Sequence, residues 1–255
     1  MSTPTPQRPP RTLLFLPIAV AALSAVLAAQ MIGRDARLAI PLLLLAALMF
    51  APALVGRWRM RRLLMSGDVE RVIGSWQGSI QRVADRETMA PLLQATAYAS
   101  YGFVDAARRS LDRAVKGPAW DAAFEQRLFV ETLLDTFEGE RDAAQHKAEV
   151  LGALPIPFAG TFARRRITLL RRGLGALARA FAHKGQPGDA SLLARAANAS
   201  PLVHWAMRYA QAALAIDSGH ADRVPSLLTG APPWPAESAF HAYHDELLTL
   251  VPSRE

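Results

Sequence analysis

Thr12–Ile32 reads TLLFLPIAVAALSAVLAAQMI and Leu38–Val55 reads LAIPLLLLAALMFAPALV, 21 and 18 residues without a charge. Only Gly33, Arg34, Asp35, Ala36 and Arg37 separate them. A helix rises 1.5 Å per residue, so about 20 apolar residues cover the hydrocarbon core of a bilayer. Two such helices joined by five residues return antiparallel, and the segment reads as a membrane hairpin. A cleaved leader ending near Val26-Leu27-Ala28 is the competing reading, but the uncharged run exceeds the usual apolar core of about 7–15 residues. Gln30 is the only amide and there is no charge in either span. An ion or substrate pathway needs interior polar groups, so the spans read as an anchor.

The formal charge of +7 is confined to this end of the chain. Residues 1–62 carry eight Arg and one Asp, whereas residues 63–255 carry 21 basic and 21 acidic side chains. A juxtamembrane excess orients spans and attracts anionic headgroups; it does not argue for nucleic acid. Arg8 and Arg11 precede the first span and Arg57, Arg59, Arg61 and Arg62 follow the second. That bias puts both termini, and everything after residue 55, on the cytoplasmic side, at a bacterial inner membrane. Trp58 suits the headgroup level. The chain has no Cys, so disulfides and thiolate chemistry are excluded.

Beyond residue 55, Ala, Leu, Arg and Glu dominate and apolar positions recur at helical spacing, as in Phe103, Ala106, Ala107, Leu111 and Ala114. Gly67, Gly102, Gly139, Gly185 and Gly219 punctuate the region. Small or apolar residues stand five and nine positions after each, on one helix face. Pro118, Pro155, Pro201 and Pro235 stand sixteen after four of them. The unit is a helix, a glycine turn, a second helix and a proline break. It resembles the tetratricopeptide repeat, most closely in Ala95, Tyr98, Gly102, Ala107, Leu111, Ala114 and Pro118, and again in Ala178, Phe181, Gly185, Ala190, Ala194, Ala197 and Pro201. Asp135 departs from the pattern where an aromatic is expected, and the longest interval implies an insertion or a long helix around 156–170.

The expected organisation is all-α. It comprises a tail (1–11), a first transmembrane helix (12–32), a loop (33–37), a second transmembrane helix (38–55), a tetratricopeptide-like solenoid of four to five helix pairs (56–235), and a capping helix with tail (236–255). The capping helix, Glu237–Leu250, is expected to close the exposed apolar end of the stack.

Residues 150–188 contain no acid and carry Arg164, Arg165, Arg166, Arg171, Arg172, Arg179 and Lys184, whereas 121–149 hold eight acids. Arg165, Arg172 and Arg179 recur every seven residues on one face, with His183 nearby. By resemblance to tetratricopeptide domains, Arg172 and Arg179 would line the groove, where arginine can grip an acidic peptide or a terminal carboxylate. The competing readings are packing against the acidic repeat and contact with anionic lipid. Gly173–Ala178 imitates a dinucleotide fingerprint without its strand, and Glu237, His241 and His244 lack the order of a metalloprotease motif. No catalytic residue, cofactor or metal is expected. The reading is a membrane-anchored adaptor or scaffold for a protein partner; the alternative is a self-associating membrane subunit.

Overall fold

The computed structural model describes residues 36–156 and 160–251, with the side chains of residues 36–50 outside that description. The chain divides into two compact units, 1–60 and 61–255. The first described helix, α1 (Ala36–Met65), contains the second uncharged segment. The first segment, 12–32, lies outside the described residues. Among the described residues no helix is long and apolar enough to cross a membrane.

Eleven helices follow: α2 (Val69–Ile80), α3 (Arg86–Ser100), α4 (Val104–Asp112), α5 (Pro118–Ala122), α6 (Phe124–Glu138), α7 (Arg141–Ala153), α8 (Thr161–Phe181), α9 (Asp189–Ala199), α10 (His204–Asp217), α11 (Val224–Leu228) and α12 (Ala239–Thr249). No strand occurs among the described residues. Five helix pairs are joined by short turns: the end of α1 with α2, α3 with α4, α6 with α7, α8 with α9, and α10 with α11. The first helices stack side by side, α3 on α6, α6 on α8, α8 on α10, and α4, α7 and α9 each pack on their own partner. This is a repeat-like all-α fold.

The turns follow the glycines with one exception. Gly67, Gly102, Gly139 and Gly219 have φ between 73° and 83°, a region costly for any side chain bearing Cβ. Gly185, expected to do the same, does not. There His183 takes the left-handed conformation (φ 56°), and Gly185 instead makes room for Leu214, whose Cδ2 would lie 2.3 Å from an added Cβ. Pro91 sits inside α3, where it cannot donate to the Glu87 carbonyl. That freed carbonyl accepts from Val115 N–H (3.2 Å) and so ties the exit of α4 back to the start of α3. Asp135, the departure from the aromatic pattern, is buried and paired with Lys147 (2.8 Å) and Arg108 (3.3 Å). Phe137, two residues on, supplies the ring.

Within residues 61–255 the C-terminal segment does more than cap the last pair. Helix α12 packs on α10 and α11 but also reaches back to the second and third pairs. Ser238 Oγ donates to Tyr101 O (2.7 Å), Ala239 N–H to Gly102 O (2.8 Å) and Tyr243 OH to Phe137 O (3.0 Å). Phe240 is wholly buried, with ring centroids 5.2 Å from Phe137, 4.9 Å from Tyr209 and 4.9 Å from Trp234. The segment therefore lies on the last pair, as expected of a cap, and also reaches across the second and third pairs, each of which contributes an aromatic ring that it covers. The last carbonyls of α1 are held too, Leu64 O by Tyr101 OH (2.6 Å) and Met65 O by Trp205 Nε1 (2.8 Å). Helix ends leave such acceptors without intrahelical donors.

Two consequences are measurable. Phe240→Ala empties the centre of the aromatic cluster and is expected to cost about 3–5 kcal/mol of stability, read as a lowered Tm by circular dichroism. His204 is buried, edge-on to Trp205, and hydrogen-bonded to Ala197 O. Burial, with the charges of Arg208 and Arg61, holds its pKa below the usual histidine range. The unfolded chain then binds a proton that the folded one resists, so stability falls as pH drops through and below the ordinary histidine pKa. The Tm should decline between pH 7 and pH 5, and His204→Gln should flatten that part of the decline.

Candidate functional site

A basic cleft opens along α8. Its floor is α8, with Thr161, Phe162, Arg164, Arg165, Thr168, Arg172, Gly175 and Arg179; one wall is α7 and the other is the turn into α9 together with α9 itself. The lining carries eight bases and two acids, Glu149 and Asp189, around a volume of about 1320 Å³. Helix α8 forms because residues 161–181 contain no proline and good helix formers. Its apolar stripe, Leu170, Leu174, Leu177 and Phe181, packs inward, and Arg164, Arg165, Arg166 and Arg172 fall on the outer face.

Three of the four residues singled out in the sequence, Arg165, Arg172 and Arg179, line this cleft. They do not have the same employment. Arg179 is already engaged with buried Asp189 through two charge-assisted hydrogen bonds (Nε 3.0 Å, Nη2 2.6 Å). Burial works against the Asp189 carboxylate, but the bonds from Arg179 and from Gln186 N–H outweigh it and hold its pKa below the usual range. Arg165 and Arg172 are exposed, and among the described residues they, Arg164 and Arg195 make no ion pair. His183 is elsewhere: its Nδ1 lies 2.9 Å from Asp217 at the end of α10. It is a turn residue.

Sequence reasoning missed Arg195 on α9 and Gln145 on α7. The carboxamide nitrogen of Gln145, in the cleft wall, is buried and finds no hydrogen-bond partner in the protein. Neither carried a signal, because each is more than fifteen residues from the arginine series and reaches it only through helix packing.

A second, apolar cleft of about 570 Å³ lies on the adjacent face of α8, among Met89, Phe129, Leu151, Ile167, Leu170 and Leu174. Arg171 stands between the two clefts and lines both. It is buried, paired with Glu125 (2.8 Å), and donates to Leu154 O (2.5 Å). Arg171 therefore clamps the exit of α7 to α8 and is not free for a ligand. Among the described residues no cluster of three His, Cys, Asp or Glu could hold a metal. His244, one of the histidines on the last helix, is bonded to Tyr209 OH (3.0 Å).

No family model, curated protein or solved structure matches the chain. The fold defines it as an all-α protein of stacked helix pairs, and the residues themselves must carry the functional argument.

The two kinds of arginine can be told apart. Arg179→Ala strands the buried Asp189 carboxylate and is expected to cost about 1–3 kcal/mol. Arg165→Ala and Arg172→Ala, each on an exposed face, are expected to stay within about 0.5 kcal/mol of the parent. Chemical denaturation of the three variants checks this.

Proposed function

We propose that this chain is a membrane-anchored, tetratricopeptide-like adaptor that holds an acidic segment of a partner protein in the basic cleft along α8. The observation that carries the reading is the set of exposed arginines, Arg164, Arg165, Arg172 and Arg195, gathered on one cleft where, among the described residues, none makes an ion pair and Glu149 is the single acid of the lining that Arg179 does not already hold. Exposed arginines usually find a carboxylate on the same surface or are spread apart; four like charges converging on a cleft repel one another and favour an anionic occupant. The guanidinium fork suits carboxylates.

Anchoring rests on the two uncharged segments, 12–32 and 38–55. The second lies in continuous helix, and 18 residues of helix span about 27 Å. Residues 51–62 are all exposed, and the apolar Leu54 and Val55 among them are 61% and 45% exposed. Exposed apolar side chains of this kind favour a lipid environment. The arginines that flank the segments favour a cytoplasmic side for both termini and the helix pairs.

The test is photo-crosslinking in native membranes from position 168, at the cleft floor, followed by identification of the attached protein. Arg165→Glu combined with Arg172→Glu should cut the yield roughly a hundredfold, the loss of about two charge-assisted bonds, while the circular dichroism spectrum is unchanged. An unaffected yield rejects the cleft. A defined oligomer of the pure chain in mild detergent, lost in the same double variant, would turn the reading to self-association. A C-terminal reporter active only outside the membrane would reverse the sidedness.

A further inference from the structure

We infer that the apolar cleft beside α8 is a second binding site, for a small organic cation: an ammonium group carried on an apolar body. The site is separate from the basic cleft and does not depend on the adaptor reading. Helices α3 and α6 each lend it their starting end, through Asp85 and Met89 and through Glu125, Gln126 and Phe129, and α8 lends Ile167 and Leu170. At the opposite ends of α3, α6 and α8 the rings of Tyr101, Phe137 and Phe181 lie under the C-terminal segment. Here, by contrast, Met89, Phe129, Ile167 and Leu170 stay half-buried around an open volume of about 570 Å³. Sites for small molecules run to about 300–1,000 Å³, mostly apolar with a few converging polar groups. Helix ends bound the cleft on several sides, which suits a compact molecule and not a length of partner chain.

The head group follows from which hydrogen-bonding positions are already filled. Arg171 is the single cation of the described lining. It directs Nε and Nη2 to one oxygen of Glu125, Oε1 (3.1 and 2.8 Å), and Nη1 to Leu154 O. Oε2 of Glu125 is left over, on a side chain 42% exposed. Gln126 donates through Nε2 to Thr96 Oγ1 (3.2 Å), so its spare position is the carbonyl oxygen. Asp85 is the N-cap of α3, where an aspartate ordinarily accepts from a first-turn N–H. Its backbone is left-handed instead (φ 53°, ψ 50°), and its carboxylate makes no capping bond. Every spare position on these side chains is therefore an acceptor, and two of the three side chains are carboxylates. An anion would be repelled, and a neutral apolar ligand would leave the acceptors unanswered. An ammonium brings three donors and a charge, while its apolar body lies against Met89, Phe129 and Leu170.

The experiment uses the full chain in zwitterionic nanodiscs with isotope-labelled methionine methyl groups. Three probes share one apolar body: naphthylethylammonium, naphthylethanol and naphthylacetate. The Met89 methyl resonance, assigned through Met89→Leu, is followed by NMR. The ammonium is expected to shift it saturably, with an affinity at least about tenfold above the alcohol and the carboxylate. Asp85→Asn keeps a residue that tolerates the left-handed backbone; it should weaken the ammonium about tenfold with Tm unchanged. Ile167→Trp, which fills the cleft, should abolish binding, whereas Arg165→Glu with Arg172→Glu should leave it as in the parent. The absence of a saturable shift with the ammonium, equal affinity for the alcohol or the carboxylate, or an unchanged affinity in Asp85→Asn overturns the inference. Each of those results leaves the adaptor reading standing, because the crosslinking test of the basic cleft involves none of these side chains.

Discussion

A pair of helices has two apolar faces and can cover only one of them itself. That constraint governs residues 61–255. Each first helix in the row α3, α6, α8, α10 is covered on its flanks by its neighbours, which is why repeat folds need several copies before any one is stable. The flank contacts leave one aromatic face to be covered, with Tyr101, Phe137 and Phe181 at the ends of α3, α6 and α8 and Tyr209 within α10. Phe240 and Tyr243 cover them from α12, and Trp234 joins from the preceding extended segment. The hydrogen bonds of Ser238, Ala239 and Tyr243 to turn carbonyls then fix where α12 lies.

This closure redirects the search for a binding surface. The aromatic face gathered from the helix pairs is occupied by the chain's own C-terminal segment. What remains open is the other side of α8, between α7 and α9. The long first helix of the fourth pair exposes its outer arginines there because the second helices on either side do not cover them.

Electrostatics divides the arginines by what folding demands of them. Arg171, Arg179 and Arg108 are committed to Glu125, Asp189 and the Asp135–Glu138 pair respectively. A buried carboxylate such as Asp189 or Asp135 is tolerable only with such partners, since desolvating an unpaired charge is expensive. Arg164, Arg165, Arg172 and Arg195 have no such duty. Their proximity costs the fold a little repulsion and provides a field for an anion. Spacing alone cannot separate the two classes: Arg172 and Arg179 are seven residues apart on one helix face, yet one is structural and the other free.

The all-helical character, the glycine turns at 67, 102, 139 and 219, the proline breaks and the acid-free run around α8 were all legible in the chain, because each is a local preference of a few residues. Gly185 was read as a turn residue, and Asp135 was visible only as a departure from the repeat, for one reason. Their roles are set by Lys147 and Arg108, and by Leu214, which local spacing does not reveal. The chain by itself determined that helices form and where glycine and proline interrupt them, since backbone propensity acts over one or two turns. Tertiary structure alone decided that α12 folds back across the aromatic ends, that Arg195 and Gln145 join the arginine series, and that Arg179 is engaged while Arg172 is not. Those outcomes depend on which surfaces meet after the helices stack, and burial, not sequence distance, decides which charges must be paired.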